Sequence, residues 1–321
     1  MQIIAFATQE TDWKSPRMGI LLHDGDRDNG YRLDCERLFD RADRPANPLD
    51  WFDMDGPWFQ KSRETYETLV RDASALAQAR ENGWLVRRED AYWFAPVPRP
   101  GKLICIGLNY RDHAAESNLP IPERPVVFSK FSTAVIAPGE PVVLPATSQK
   151  VDYEAELAVV IGRRAKSVGA SRAYDYVLGY TAFNDVSARD FQFADGQWQR
   201  GKSCDTFAPM GQTIVTTDVI TDPHKLSIKL ILNGKTMQDS NTDQLIFGVP
   251  ELIEFLSHTI TLEPGDVIAT GTPPGVGFAR KPPVFLQAGD EMVVDIEGIG
   301  NLGNPVVAAK EAVAKLAQSN V

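Results

Sequence analysis

The chain has 321 residues, of which 43% are hydrophobic, and it carries a formal net charge of −10. A chain of this length can bury a substantial core, whereas its negative charge excludes nucleic acid and anionic membrane surfaces as main partners, because neither would be attracted over long range. Every apolar run is shorter than the roughly 18 residues of a membrane span, and the N-terminus lacks the basic region of a signal peptide. We therefore expect a cytoplasmic protein.

The first hundred residues predict a small α/β unit. Short strands are expected over residues 2–7 and 18–23, followed by glycine-containing turns over residues 24–30. Apolar residues recur at helical spacing over residues 61–80, and the pattern stops at the helix-ending pair Asn82-Gly83. This segment therefore predicts one amphipathic helix.

A proline-rich stretch, FAPVPRPG at residues 94–101, interrupts the chain. The residue before a proline favours extended backbone, so this stretch predicts a linker. We therefore place a domain boundary near residue 100. It separates a small N-terminal domain over residues 1–100 from a second domain over residues 101–321.

The second part of the chain predicts mainly strands, which are apolar runs bounded by proline and glycine turns. The predicted strands cover residues 103–106, 126–130, 142–144, 151–162, 176–184, 211–217, 226–233, 266–270 and 292–296. One short helical segment is expected after residues 107–112. The predicted fold class is α+β, predominantly β, with a large sheet assembly or barrel-like core.

Two carboxylates interrupt the apolar run at residues 151–162. In a strand, Glu154 and Glu156 would project from one face with roughly 7 Å between their Cα atoms. On an exposed face the pair would be an ordinary acidic surface, whereas in a cleft repulsion and desolvation would protonate one carboxylate unless a cation lay between them. The apolar residues 157–161 favour burial, and both interpretations remain open at this point.

A third carboxylate, Asp185, follows the predicted strand over residues 176–184. With Glu154 and Glu156 it forms a set of oxygen donors without a nearby histidine or cysteine cluster. Such a set favours Mg²⁺ or Mn²⁺, with Ca²⁺ as an alternative, over zinc. The other interpretation is that Asp185 is the N-cap of a helix over residues 187–193.

His113 and Glu116 are three residues apart in the short helical segment and share one helical face. A carboxylate in this position can orient an imidazole and stabilise its charge, so the pair predicts a general base. The alternative is an ordinary pair of surface side chains.

Further polar groups follow along the chain. Arg189, Gln192 and Lys202 are donors of the kind that bind a carboxylate and a developing oxyanion, although such residues taken singly are more often surface residues. The glycine-rich loop 271–277 lacks the Lys-Ser/Thr pair of a P-loop, and its two prolines have no backbone N–H. We therefore interpret it as a tight, substrate-facing loop and not as a nucleotide site.

Covalent nucleophile chemistry has little support in this sequence. No GxSxG motif occurs, and Cys35, Cys105 and Cys204 have neither CxxC spacing nor an obvious histidine partner. Their odd number and wide spacing suit a reducing compartment, and we interpret all three as packing residues.

Five motifs carry a resemblance to a known family. In chain order they are IGLNYRDHAAES, DYEAELAVVIG, FNDVSARDFQ, GKSCDTFAPMG and ATGTPPGVG. Over residues 102–308 they closely resemble the signatures of the fumarylacetoacetate hydrolase family. The resemblance implies that family's mixed β-sheet roll or barrel core beside the small N-terminal α/β domain. It also implies a Mg²⁺ or Mn²⁺ site and a homodimer.

The resemblance implies roles for individual residues as well. The residues that match the family's metal ligands are Glu154, Glu156 and Asp185. His113 with Glu116 matches a water-activating pair on a mobile lid over residues 109–119. The residues that match contacts to the oxo-acid end of a substrate are Arg189, Gln192, Lys202 and Thr272. The three-carboxylate pattern resembles the acylpyruvase branch, because fumarylacetoacetase itself has a further acidic ligand.

The implied reaction is the hydrolysis of a 2,4-dioxo acid, such as an acylpyruvate, to pyruvate and a carboxylic acid. The metal would polarise the dicarbonyl, His113 held by Glu116 would activate water, and Lys202 would stabilise the charge that develops as the C–C bond breaks. Such a reaction belongs to the catabolism of aromatic or sugar acids. Oxaloacetate decarboxylation and hydroxy-dienoate isomerisation are alternatives at the same site, and a non-catalytic oxo-acid-binding protein is the alternative outside enzymes.

Overall fold

The computed structural model describes residues 1–8, 16–22, 30–116, 118, 120–194 and 196–310. Over these residues the fold is α+β and rich in strands, as the sequence predicts. The elements of the first hundred residues are β1 (Gln2–Thr8), β2 (Arg17–Leu22), β3 (Tyr31–Asp34), α1 (Pro57–Leu69), α2 (Ala73–Glu81), β4 (Leu85–Arg87) and β5 (Ala91–Phe94).

The remaining part of the chain adds fifteen strands and four α-helices among the described residues. Those that begin before residue 190 are β6 (Leu103–Gly107), α3 (Arg111–Glu116), β7 (Val126–Lys130), β8 (Val135–Ile136), β9 (Val142–Leu144), β10 (Val151–Asp152), β11 (Ala155–Ile161), β12 (Val177–Asn184), β13 (Ser187–Ala188) and α4 (Arg189–Ala194). Those after it are α5 (Gln199–Lys202), β14 (Ala208–Pro209), β15 (Ile214–Thr216), β16 (Ser227–Leu232), β17 (Lys235–Asn241), α6 (Val249–Thr259), β18 (Val267–Ala269), β19 (Glu291–Ile296) and β20 (Gly300–Ala308).

Two open sheets form the body of the molecule. The larger has eleven strands in the order β4-β3-β2-β1-β15-β12-β11-β18-β6-β7, with β5 paired to β1, and the smaller has five in the order β17-β16-β19-β20-β9. Along β16 and β19 buried and less buried residues alternate, so one face of the smaller sheet packs on the core. The main core lies between the sheets, where Leu157, Val159 and Tyr180 meet Ile228 and Val294.

The central strands of the large sheet are buried on both faces. All seven residues of β11 and all eight of β12 are buried. Leu157 and Val159 belong to the core between the sheets, whereas Ala158 and Val160 belong to a second core that also contains residues of the first hundred. This confirms the prediction that the apolar run is a central strand.

The first hundred residues continue the large sheet. Ile3 pairs with Ile214 and Gln2 with Val215, which joins β1 to β15. The strands predicted over residues 2–7 and 18–23 are confirmed as β1 and β2. Of the turns predicted over residues 24–30, all but Gly30 lie outside the described residues. The domain boundary near residue 100 remains a prediction.

The single helix predicted over residues 61–80 is wrong. Two helices occupy this region, α1 ending at Leu69 and α2 starting at Ala73. The reason is Asp72, whose Oδ1 accepts hydrogen bonds from Ser74 N at 2.8 Å and Ala75 N at 3.3 Å. A capped N-terminus starts a new helix at this point.

The prediction of one acidic strand over residues 151–162 is also wrong in part. The strand is interrupted at Tyr153 and Glu154, so that β10 pairs with β13 and β11 pairs with β12. Side chains replace the ladder hydrogen bonds there: Asp152 Oδ1 accepts from Tyr153 N at 2.9 Å, and Asn184 Oδ1 accepts from Glu154 N at 3.0 Å. Glu154 and Glu156 therefore do not lie on one face of a continuous strand.

Several described elements were not predicted from the sequence, among them β17, β20 and α6. The cysteines are free, with Cys35 and Cys105 buried as packing residues and Cys204 half-buried. Among the described residues, no helix has both the length and the apolar character needed to span a membrane.

Asp34, at the end of β3, is a fully buried acid outside the carboxylate site. Burial raises the pKa of Asp34 to about 6, against the opposing effects of Arg17 and Arg37, which lie 3.0 and 3.2 Å from Oδ2. Because this pKa exceeds the ordinary value of 3.8, the contribution of Asp34 to stability is complete below about pH 4 and is lost as the pH rises to about 6.

We expect Asp34→Asn to flatten the pH dependence of the free energy of unfolding between about pH 4 and 6. The total change of this free energy over that pH range should decrease by about 3 kcal/mol at most, since one pKa unit corresponds to about 1.4 kcal/mol. Urea denaturation at several pH values measures this slope. The exposed Asp43→Asn is the matched control and should keep the wild-type slope. An unchanged slope in Asp34→Asn would contradict the assignment.

Candidate metal centre

The structure brings three carboxylates together at the end of the β11–β12 pair. Glu154 lies in the break before β11, Glu156 lies on β11, and Asp185 directly follows β12. One oxygen of each lies within 4.8 Å of the others, and all three side chains are buried. Such an acidic triad can hold a divalent cation.

The idea that Asp185 is a helix N-cap is wrong. Ser187 and Ala188 form β13, and α4 starts only at Arg189. The Asp185 carboxylate instead accepts hydrogen bonds from Lys130 and Lys202. Asp185 therefore belongs to the acidic cluster and not to a helix terminus.

The charges of the triad are only partly balanced by the protein. Burial, together with repulsion from Asp185 and Glu154, raises the pKa of Glu156 well above its ordinary value. For Glu154, burial would raise the pKa, but Lys202 and Arg189 outweigh it and lower the pKa to about 2. A divalent cation between these oxygens would remove the repulsion at Glu156, and three carboxylates suit Mg²⁺, Mn²⁺ or Ca²⁺. The donor set therefore fits a hard divalent metal.

Two buried lysines flank the triad. Lys202 Nζ lies 2.7 Å from Glu154 Oε2 and 2.8 Å from Asp185 Oδ2. Lys130 Nζ contacts Asp185 Oδ1 and donates to Val186 O at 2.9 Å, and burial lowers the pKa of Lys130 despite the nearby Asp185. Lys202 was predicted from the sequence, whereas Lys130 was not. The one sequence signal for Lys130 was a charged residue at the end of the predicted strand over residues 126–130.

Arg189 is almost fully buried next to Glu154. Its Nε donates to Asp152 Oδ2 and its Nη1 to Gln192 Oε1, both at 2.9 Å. Nη2 lies 2.8 Å from Asp152 Oδ2 and 2.6 Å from Glu154 Oε1, so the guanidinium is ion-paired with both carboxylates.

Thr272 supports the loop that it belongs to. Its hydroxyl donates to Ala155 O at 2.9 Å and accepts from Gln238 Nε2 at 2.8 Å. Gln238 comes from β17 of the smaller sheet and also accepts from Ala155 N at 2.9 Å. The hydroxyl proton of Thr272 is thus engaged within the protein, and its role in binding a substrate remains a prediction.

The predicted pair of His113 and Glu116 exists on α3. His113 Nδ1 lies 3.4 Å from Glu116 Oε2, and the Glu116 carboxylate also accepts from Gly275 N at 3.0 and 3.1 Å. Gly275 has a φ of +98°, and a Cβ there would lie 2.2 Å from Met237 O, so only glycine fits. Gly271 N of the same loop donates to Glu156 Oε2 at 2.8 Å. The loop therefore links the pair to the triad.

The proposed lid is docked on the body of the molecule over its described residues. Asn109 Nδ2 donates to Thr270 O at 2.8 Å and to Phe247 O at 3.0 Å, and Asp112 Oδ2 accepts from Ser240 Oγ at 2.6 Å. His113 is buried as a result. Residues 117 and 119 of the predicted lid lie outside the described residues.

The family model described as fumarylacetoacetate (FAA) hydrolase C-terminal matches residues 102–307. A protein named oxaloacetate tautomerase fahd2, mitochondrial, from Xenopus laevis is 42% identical over 309 residues, which cover 96% of this chain and 90% of that protein. This chain belongs to the fumarylacetoacetate hydrolase family, whose members are enzymes.

Solved structures extend the likeness to the first hundred residues. The 5-carboxymethyl-2-hydroxymuconate delta-isomerase from Mycobacterium smegmatis is 35% identical with a TM-score of 0.70, over 96% of this chain and 99% of that chain. The fumarylacetoacetate hydrolase from Exiguobacterium antarcticum is 33% identical with a TM-score of 0.75, over the same shares of both chains. The N-terminal part, which shows no family motif, is therefore shared with these relatives.

Proposed function

We propose that this chain is a metal-dependent enzyme that forms the enolate of a 2-oxo acid and that its main reaction is the tautomerisation of oxaloacetate. The observation that carries the proposal is the convergence of three buried carboxylates beside buried lysine and arginine side chains. Such a site binds an anionic oxygen ligand through a metal and stabilises negative charge on it. The named activity of the Xenopus laevis relative supports oxaloacetate as the substrate.

The residues of the chain fit the separate requirements of this reaction. Glu154, Glu156 and Asp185 would hold the metal, which when bound supplies a Lewis acid for the oxo-acid oxygens. Arg189 adds positive charge that attracts a substrate carboxylate, and Lys202 adds positive charge to stabilise an enolate oxygen.

Tautomerisation moves a proton between carbon 3 and the 2-oxo oxygen. His113 suits the proton transfer at carbon 3, because its Nδ1 faces Glu116 and leaves Nε2 for the proton. The docking of Glu116 on Gly275 holds the imidazole at the loop that contacts Glu156. His113 and Glu116 are therefore the proposed acid–base pair.

Hydrolysis of a 2,4-dioxo acid to pyruvate and a carboxylic acid is the second candidate. Its leaving group is the enolate of pyruvate, which is also a 2-oxo-acid enolate, and the observation in its favour is that the His113–Glu116 pair also fits activation of water. The fumarylacetoacetate hydrolase among the solved relatives supports it. Oxaloacetate decarboxylation and hydroxy-dienoate isomerisation would each form a 2-oxo-acid enolate of their own at this site. A non-catalytic role is disfavoured by the intact pair and by membership of an enzyme family.

A substrate panel tests the proposal. Enol oxaloacetate, acetylpyruvate and a hydroxy-dienoate are each followed by ultraviolet absorbance with Mg²⁺ or Mn²⁺ and with EDTA, and pyruvate is measured in parallel. We expect rapid ketonisation of enol oxaloacetate that EDTA abolishes. Faster metal-dependent release of pyruvate from acetylpyruvate would reverse the order of the two candidates, and turnover unaffected by EDTA would contradict the metal site.

Assembly and location remain proposals. We propose a homodimer that acts on a small oxo acid in the cytoplasm, and light scattering and cell fractionation test these two points. The Xenopus laevis relative is itself named as mitochondrial.

A further inference from the structure

Asp152 lies at the end of β10 and is fully buried, yet its carboxylate contacts two separate parts of the site. Oδ2 accepts from Arg189 Nε at 2.9 Å, and Oδ1 accepts from Gly277 N at 2.7 Å. We propose that Asp152 is a positioning residue that shares the charge of the Arg189 guanidinium with Glu154 and thereby sets the metal affinity of the site. This inference rests on the metal centre of the proposed function.

The carboxylate, the loop and the guanidinium form one packed unit. A Cβ on Gly277 would lie 2.5 Å from Asp152 Oδ1 and 1.9 Å from Val284 O, so the carboxylate packs directly on glycine backbone. Phe278 N donates to Asp152 Oδ2 at 3.1 Å, and the Phe278 ring lies 4.4 Å from Arg189 Cζ. Asp152 therefore fixes the guanidinium against the end of the loop.

The backbone of Arg189 is held by the same segment. Arg189 N donates to Lys150 O at 2.9 Å, and Asp152 pairs with Ser187 in the β10–β13 ladder. Because both the backbone and the side chain are anchored to residues 150–152, the guanidinium has one preferred position. Its distance to Glu154 is thus decided by Asp152.

Asp152 and Glu154 compete for the same nitrogen of Arg189. Nη2 lies 2.8 Å from Asp152 Oδ2 and 2.6 Å from Glu154 Oε1. Arginine stays protonated in proteins, so it cannot lose its charge to relieve the competition. If Asp152 were neutral, Glu154 would be the only carboxylate among the described residues that is ion-paired with Nη2. A carboxylate engaged in this way is a weaker metal ligand, because guanidinium and metal compete for its oxygens.

The charge balance leads to the same conclusion. With Arg189 balanced by Asp152, the three ligand carboxylates face only the two buried lysines, Lys130 and Lys202, which leaves a negative site for a divalent cation. Without the charge of Asp152, the three carboxylates would face three buried cations. The site would then lose the excess negative charge that attracts the metal.

Titration calorimetry of Mn²⁺ into the full-length, metal-free protein without substrate tests this. We expect Asp152→Asn, which keeps the shape but removes the charge, to raise the Mn²⁺ Kd about 10- to 100-fold, as is typical for groups that support metal ligands. Adding Arg189→Gln to Asp152→Asn should restore most of the affinity, because the competing cation is gone. If the role of Asp152 were merely structural, adding Arg189→Gln would not restore the Mn²⁺ affinity.

Two results would overturn the inference. One is an Asp152→Asn variant with the Mn²⁺ Kd of the wild type. The other is a double variant that loses as much Mn²⁺ affinity as Asp152→Asn alone. If circular dichroism shows that Asp152→Asn does not fold, Arg189→Gln alone tests the inference. Its Mn²⁺ Kd should be equal to or lower than that of the wild type. A higher Kd contradicts the inference. If the wild type binds no Mn²⁺, the metal centre itself is rejected. The wild-type titration therefore distinguishes a failure of the proposed function from a failure of the inference about Asp152.

Discussion

Replacing His113 by alanine is expected to lower turnover by about 10² to 10⁴-fold, the usual contribution of a positioned acid–base group. His113 contacts Glu116 and not the carboxylate triad in the described structure, so the metal ligands should remain in place. The affinity for oxalate, which resembles the enolate of pyruvate, should therefore barely change. Steady-state kinetics and oxalate titration on the same variant measure the two quantities.

Glu116→Gln is the matched partner variant. The amide can still hold the imidazole but cannot stabilise its positive charge, so we expect a smaller loss of turnover than in His113→Ala. The double variant should be little worse than His113→Ala, because the two side chains act as a unit. Hydrolysis should fall more than any oxaloacetate decarboxylation, which needs no attacking water. Retained turnover, or an equal loss of oxalate affinity, would make His113 a structural residue of the lid.

Removing a carboxylate of the triad is expected to abolish both activity and stabilisation by metal. In the wild type, Mg²⁺ or Mn²⁺ at 100 times its Kd should add about 2.7 kcal/mol to the free energy of unfolding, since it binds only the folded state. Glu156→Gln and Asp185→Asn should lose this increment, which thermal or urea unfolding with and without metal measures.

Two features make this test specific. Glu263→Gln, on a glutamate that pairs with Arg164 at the surface, is the matched control and should keep the full response to metal. Because burial and repulsion raise the pKa of Glu156, the metal-free Glu156→Gln variant should not be less stable than the metal-free wild type near neutral pH. A full metal response in both triad variants would exclude these carboxylates as ligands.

The sequence allowed the chemistry of the centre to be predicted before its geometry. The residue types of Glu154, Glu156 and Asp185 indicated oxygen ligands for a hard divalent metal, and the ordered motifs indicated the family. The apolar run after Glu156 predicted a strand buried on both faces, which β11 confirms. These features are local, since a few neighbouring residues determine them.

The supporting residues could not be found in this way. Lys130, Asp152 and Gln238 are polar residues for which a surface position is the ordinary expectation. Their partners are far along the chain: Lys130 contacts Asp185, and Gln238 contacts Ala155 and Thr272. No local pattern encodes such a contact.

The sequence by itself determined the strand-rich fold class, the family and the candidate ligands, because hydrophobic periodicity and motif order are written in neighbouring residues. The tertiary structure alone decided how these groups meet. It broke the acidic strand at Glu154, because the Asn184 side chain takes over the backbone hydrogen bond of Glu154. It also placed Arg189 between two carboxylates, because β10 pairs with β13 and not with β12. Buried charges are balanced by whichever partners the packing brings near, and that depends on the whole fold.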